Sequence, residues 1–135
     1  MKEALAIVLP DVAPIRRLGL IVYGPGPYNR CNVDLKLQPL IGADKSISSI
    51  VSSLSPAGKT PLTEAVRLAA EVLDYRTRPP VIVLLTDGEE TCGGTPCPSA
   101  EQLKAAAKNL TIHVIGYIAR EAVSGRGLLD ARCLS

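Results

Sequence analysis

The chain reads as an open, doubly wound α/β domain with a mostly parallel sheet and helices on both faces. Three observations predict this class. Five consecutive apolar residues, Val81-Ile-Val-Leu-Leu85, run straight into Thr86-Asp87-Gly88. A short β-branched run of this kind predicts a parallel strand buried on both faces. Apolar residues at helical spacing lie before it (Leu62, Ala65, Val66, Ala69, Leu73) and after it (Ala100, Leu103, Ala107, Leu110), so helix and strand alternate as stacked βαβ units require. Finally, an acid where such a strand ends stands at the carboxyl edge of the sheet, where open α/β folds gather their ligands.

The remaining elements follow in order. Residues 2–9 predict a helix that Pro10 ends. Leu18-Gly-Leu-Ile-Val-Tyr-Gly24, bounded by Arg16-Arg17 and Gly24-Pro-Gly-Pro27, predicts a strand and then a loop. Residues 33–37 alternate with period two, the pattern of a half-exposed edge strand. Asp44 is placed to cap a helix whose apolar face is Ile47, Ile50, Val51 and Leu54. Ser55-Pro-Ala-Gly58 breaks that helix, and Pro61 suits the first turn of the next. Pro98 opens the helix after the central strand, with Ser99 and Gln102 at capping-box spacing. Residues 111–117 predict the last clear strand, and residues 125–134 the start of a final helix.

The 135 residues suffice for one domain with a sizeable core. Four Tyr, no Phe and no Trp make that core aliphatic. A net charge of +2, with short basic spots and no stacking aromatics beside them, excludes a nucleic-acid partner. No apolar run reaches membrane-spanning length. The first ten residues lack the charge pattern and cleavage site of a secretory leader.

Asp87 is the first candidate for chemistry, with Thr60 of Gly58-Lys-Thr60-Pro-Leu62 as its partner across the edge. A hydroxyl and a carboxylate are hard oxygen donors suited to Mg²⁺ or Mn²⁺. Gly58-Lys59-Thr60 does not make a phosphate-binding loop, because Ser53 stands where that loop needs glycine. Glu89 and Glu90 read as solvated or as supporting residues. His113, the single histidine, reads as a core or strand-edge residue. Ser99 lacks any triad companion; the chain is read as a binding module and not an enzyme, on the resemblance given next. Cys92 and Cys97 bracket one tight loop and are expected to bridge each other. The alternatives are free thiols or, on weaker grounds, zinc. A bridge implies an oxidising compartment, periplasmic or extracellular.

The set Gly58-Lys-Thr60-Pro-Leu62, Val83-Leu-Leu-Thr-Asp87-Gly-Glu-Glu-Thr-Cys-Gly-Gly94 and His113-Val-Ile-Gly116 resembles a von Willebrand factor type A domain over essentially the whole chain. Within that family it resembles the bacterial branch that carries a cysteine-bearing loop after the metal-site aspartate. The resemblance implies a metal-ion-dependent adhesion site, in which Mg²⁺ or Mn²⁺ at the sheet edge accepts an acidic residue of a partner protein. Thr60 and Asp87 map onto two of its ligand elements. The other three, an Asp-x-Ser-x-Ser motif closing the central first strand, are read as absent, and residues 1–9 match the helix that follows that motif. The chain thus reads as a single partial domain, 1–135, lacking its first and last strands. Its metal site is incomplete and binds no ion tightly, and its open sheet edges invite self-association. Two alternative readings stand beside this one: a degenerate, metal-independent interaction domain, and an accessory subunit of a chelatase-type ATPase.

Overall fold

Apolar side chains too numerous to leave in water set the architecture of the computed structural model, which describes residues 1–55, 57–87, 89–116 and 132–135. The element order is α1 (Lys2–Val12), β1 (Leu18–Tyr23), β2 (Val33–Leu40), α2 (Asp44–Ser53), α3 (Leu62–Val72), β3 (Val81–Thr86), α4 (Pro96–Ala106) and β4 (Thr111–Gly116). Alternating helix and strand confirm the α/β class. Met1–Gly58 and Lys59–Ser135 form two units.

In the first unit β1 and β2 pair antiparallel, from Leu18 opposite Leu40 to Tyr23 opposite Val33. Their core is aliphatic, as the composition requires. Leu9, Ala43, Ile47 and Val51 are buried, with Leu5, Leu18, Leu20, Leu37 and Leu54 packed around them. The Gly24 amide donates to the Asn32 carbonyl at 2.9 Å, and the Gly58 amide donates to the Gly24 carbonyl at 2.9 Å. Gly58 owes its identity to that approach, because a Cβ there would stand 2.8 Å from the Gly24 oxygen.

The second unit is a βαβ unit. β3 and β4 are parallel, in register from Val81 opposite Thr111 to Thr86 opposite Gly116, and α4 is the crossover between them. α3 packs against β3 and α4. Leu62, Val66, Ala70, Ile82, Leu84, Ala100, Leu103 and Ile112 are buried. On the surface of α3, Glu64 receives Arg67 through two hydrogen bonds, 2.6 and 3.0 Å. The guanidinium holds the Glu64 carboxyl below its ordinary range.

Several expectations need correction. α1 runs through Pro10 to Val12. Pro10 gives up its amide bond to the residue four back and crowds that carbonyl, but the Ala13 amide still closes the final turn onto the Leu9 carbonyl at 2.9 Å. Ala43, not Asp44, is the N-cap of α2, and no side chain caps it; Asp44 instead lies in the first turn, where the helix dipole favours an acid. Pro61 is the N-cap of α3 and not part of its first turn. α4 starts at Pro96, two residues before Pro98, and Ser99 lies within it. Proline at the first helical position needs no amide partner, so the earlier proline wins. β2 extends to Leu40. β3 is buried on one face only: Ile82, Leu84 and Thr86 point inward, while Val81 and Val83 are more than half exposed. Asn109 adopts a left-handed φ of 71° just before β4, a conformation asparagine tolerates. Pro56 of the expected breaker, Gly88 after the candidate acid, Tyr117 of the expected strand and most of the expected helix 125–134 lie outside the described residues.

Leu62→Ala removes a fully buried side chain at the first position of α3. It should lower the unfolding free energy by about 2–5 kcal/mol. Ile7→Ser, at an exposed site on α1, should change it by less than about 0.5 kcal/mol. Urea titrations of both variants check this, and equal losses would contradict the burial described.

Candidate functional site

The candidate site lies where β3 ends. Thr86 is the last strand residue and is buried, and Asp87 follows in an exposed bend. The strand delivers the carboxylate to the carboxyl edge of the parallel pair, as its position in the sequence predicts. Thr60 lies half-buried in the loop before α3.

Three hydrogen bonds sew residues 60–63 to the loop after β3, and a fourth folds that loop on itself. The Thr60 amide donates to the Thr91 hydroxyl at 2.7 Å, and the Thr91 amide returns a bond to the Thr60 carbonyl at 3.0 Å. Glu90 supplies the other two. Its Oε2 accepts the Thr63 amide at 2.8 Å, and its Oε1 accepts the Cys92 amide at 2.9 Å. Thr63 occupies the second position of α3, where helical amides have no partner within the helix. The N-cap is Pro61 and offers no side-chain acceptor, so a carboxylate 27 residues further along the chain does the capping. A negative charge there also suits the helix dipole.

The glycines of this loop are steric necessities. Gly93 has φ 76°, a left-handed conformation that glycine adopts without cost. Gly94 lies flat against α3, where a Cβ would meet the Thr63 Cβ at 2.7 Å and the Glu90 Oε2 at 2.6 Å. Beside it the buried Thr63 hydroxyl has no hydrogen-bond partner among the described residues.

All four cysteines are disulfide-bonded, but not in the expected pairing. Cys97 bonds Cys133, 36 residues away, and Cys92 and Cys97 are not joined. The loop between them opens into α4 at Pro96, so Cys97 is the second residue of a helix and its direction is set by that helix. The bridge ties the start of α4 to the final residues, where Leu134 is fully buried and Lys104 donates to the Ser135 carbonyl at 2.6 Å. Cys31 and Cys92 are likewise oxidised. Disulfides on both sides of the loop fit an extracellular or periplasmic setting. No helix among the described residues is long and apolar enough to cross a membrane.

The donor set does not fit a divalent cation by itself. Mg²⁺ takes near-octahedral oxygen coordination, and Thr60 and Asp87 offer one hydroxyl and one carboxylate. Both oxygens of Glu90 are already engaged by amides. Among the described residues no three His, Cys, Asp or Glu side chains gather into a metal-holding group. The sequence does spell Asp-x-Ser-x-Ser once, at Asp44-Lys-Ser46-Ile-Ser48, which corrects the expectation that this string is absent. Those residues form the first turns of α2, with Ile47 buried, and not the loop at a strand end that such a site requires. His113 is exposed on β4, at a strand position and not in the core. A groove of about 210 Å³ beside α3 and α4 is lined by Arg67, Glu71, Tyr75, Arg76, Ser99 and Gln102 among others. Its arginines are tied to Glu64 and Glu71, and it includes neither Thr60 nor Asp87.

Sequence reasoning missed Thr91 altogether and reached Glu90 only as a supporting residue. No local signal marks either, because both act on a segment about thirty residues upstream.

Comparison with known proteins agrees with this architecture. Residues 4–130 match the family model described as von Willebrand factor type A domain. The chain is 35% identical over 85 residues to the uncharacterized protein YwmC of Bacillus subtilis (strain 168), a match covering 62% of this chain and 37% of YwmC. It is 39% identical over 99 residues to the uncharacterized protein YwmD of the same organism, covering 71% of this chain and 38% of YwmD. The chain thus spans little more than a third of the length of these curated relatives. No solved structure matches it.

Two outcomes follow from the site. Mass spectrometry of a non-reduced digest should find the Cys97 peptide cross-linked to the Cys133 peptide; a Cys92–Cys97 link would contradict the pairing. Gly94→Ala should destabilise the protein by about 1–3 kcal/mol, read from urea midpoints, because the Thr63 side chain it meets is rooted in α3.

Proposed function

The chain belongs to the von Willebrand factor type A family, and from that premise we propose that it is a protein-binding module whose partner-facing surface is the rim carrying Thr60 and Asp87. Family members are generally protein-interaction modules. The observation that carries the reading is the three-bond seam through Thr91 and Glu90, which holds residues 60–63 against the loop after Asp87. A surface without a binding role has little need of such a fixed arrangement at a sheet's carboxyl edge.

In this reading Thr60 and Asp87 are two elements of a metal-ion-dependent adhesion site for Mg²⁺ or Mn²⁺. Recognition of an acidic partner residue through the ion requires the remaining oxygen ligands as well, and this pair alone does not retain it. The family's Asp-x-Ser-x-Ser element, supplied at the end of a preceding strand, has the right chemistry to complete the set. In this reading the rim serves binding and not catalysis.

Calorimetry with Mn²⁺ tests the proposal. The unextended chain should show no saturable binding at roughly millimolar Mn²⁺ or below. The chain extended at its N-terminus by a strand ending in Asp-x-Ser-x-Ser should bind, and Asp87→Ala in that extended chain should weaken binding by at least about tenfold. Saturable, micromolar binding by the unextended chain, or indifference of the extended chain to Asp87→Ala, would overturn it.

A further inference from the structure

Glu90 touches neither Thr60 nor Asp87 in any hydrogen bond of the seam, yet the seam is organised around it. One carboxylate oxygen holds the N-terminus of α3 through Thr63, two residues after the loop that carries Thr60. The other holds the amide of Cys92 and so folds the chain just beyond Thr91 back on itself. Thr91 lies between those two anchor points and makes both contacts to Thr60. The absence of a Cβ at Gly94 allows this close approach.

Resting on the binding role proposed above, we propose that Glu90 is the positioning residue of this rim: by bridging the Thr63 and Cys92 amides it fixes Thr91, and through Thr91 it fixes where the Thr60 hydroxyl stands. The physical requirement is a carboxylate. Two N–H donors converge on one side chain, and only an acidic group presents two acceptors to them. Glutamine has the same shape but presents one acceptor and one NH₂, so one of the two amides must lose its partner. Bonds to a charged acceptor are also stronger than those to a neutral one.

The test is residue-resolved amide exchange on the oxidised full chain, comparing the parent with Glu90→Gln and Thr91→Val. Glu90→Gln should speed exchange about tenfold or more at Thr63 or Cys92, and also at Thr60 and Thr91, which Glu90 does not touch. Exchange at Ile82, Leu84 and Ile112 should stay within about twofold, because the ladder is remote from the lost bond. Thr91→Val should loosen Thr60 while leaving Thr63 protected. In the extended chain that binds Mn²⁺, Glu90→Gln should weaken affinity about tenfold. Faster exchange at Thr63 and Cys92 with Thr60 unmoved would reduce Glu90 to a helix cap and overturn the proposal. Loss of protection throughout β3 and β4 would make it a general fold residue and overturn it equally. If the extended parent chain binds no Mn²⁺, the metal reading fails, and the Thr60 and Thr91 amides still decide the role of Glu90.

Discussion

One carboxylate with two amides to serve organises the candidate site of this molecule. Helix α3 begins at a proline-capped turn with an unsatisfied amide at Thr63. An unpaired buried donor costs about 1–3 kcal/mol, and no residue near Pro61 relieves it. Glu90 does so from the far side of β3. The loop that follows the strand must therefore fold back to the loop that precedes α3. The reciprocal bonds between Thr60 and Thr91, the left-handed turn at Gly93 and the bare backbone at Gly94 are the consequences. A capping requirement, which belongs to local structure, thus becomes the device that gathers two distant segments into a candidate binding surface.

The rest of the second unit supports that arrangement. The inward residues of β3, Ile82 and Leu84, are buried, as is Ile112 of β4, and α3 packs against β3, so the strand has a fixed direction when it reaches Asp87. α4 returns the chain for the parallel pairing, and its start is tied by the Cys97–Cys133 bridge to residues near the chain's end. The two disulfide-bonded positions at Cys92 and Cys97 bracket the turn at Gly93 and Gly94. Oxidation thereby restrains the segment that the seam requires to be short and sharply bent. In the first unit the same aliphatic economy operates with an antiparallel pair, Ile47 and Val51 of α2 packing with Leu9 of α1.

Much of this was legible in the sequence. The unbroken run of residues 81–85 and the acid after it predicted β3 and the location of Asp87, because strand endings are written in composition. The amphipathic spacing of Leu62, Ala65 and Val66 predicted α3. Where the readings failed, the deciding physics was non-local. The pairing of Cys97 with Cys133 depends on the direction of α4, which spacing within the loop cannot reveal. The cap of α3 comes from 27 residues away, so no local capping pattern announces it. Pro10 looked like a helix terminator, yet the helix continues to Val12 and the Ala13 amide closes its last turn onto Leu9. The two-faced burial expected of β3 failed for a related reason. An apolar run states that a strand could be covered on both faces, and says nothing about which element is there to cover it.

The central claim is that the Thr60 loop is held to the loop after Asp87 by direct hydrogen bonds. Scalar coupling across those bonds in the NMR spectrum of the isotope-labelled, oxidised chain tests it most directly. The account predicts a measurable coupling from the Thr91 amide nitrogen to the Thr60 carbonyl carbon, and from the Thr63 amide nitrogen to the Glu90 carboxylate carbon. Well-resolved signals for all four residues with neither coupling present, alongside clear couplings in the β3–β4 ladder, would contradict it.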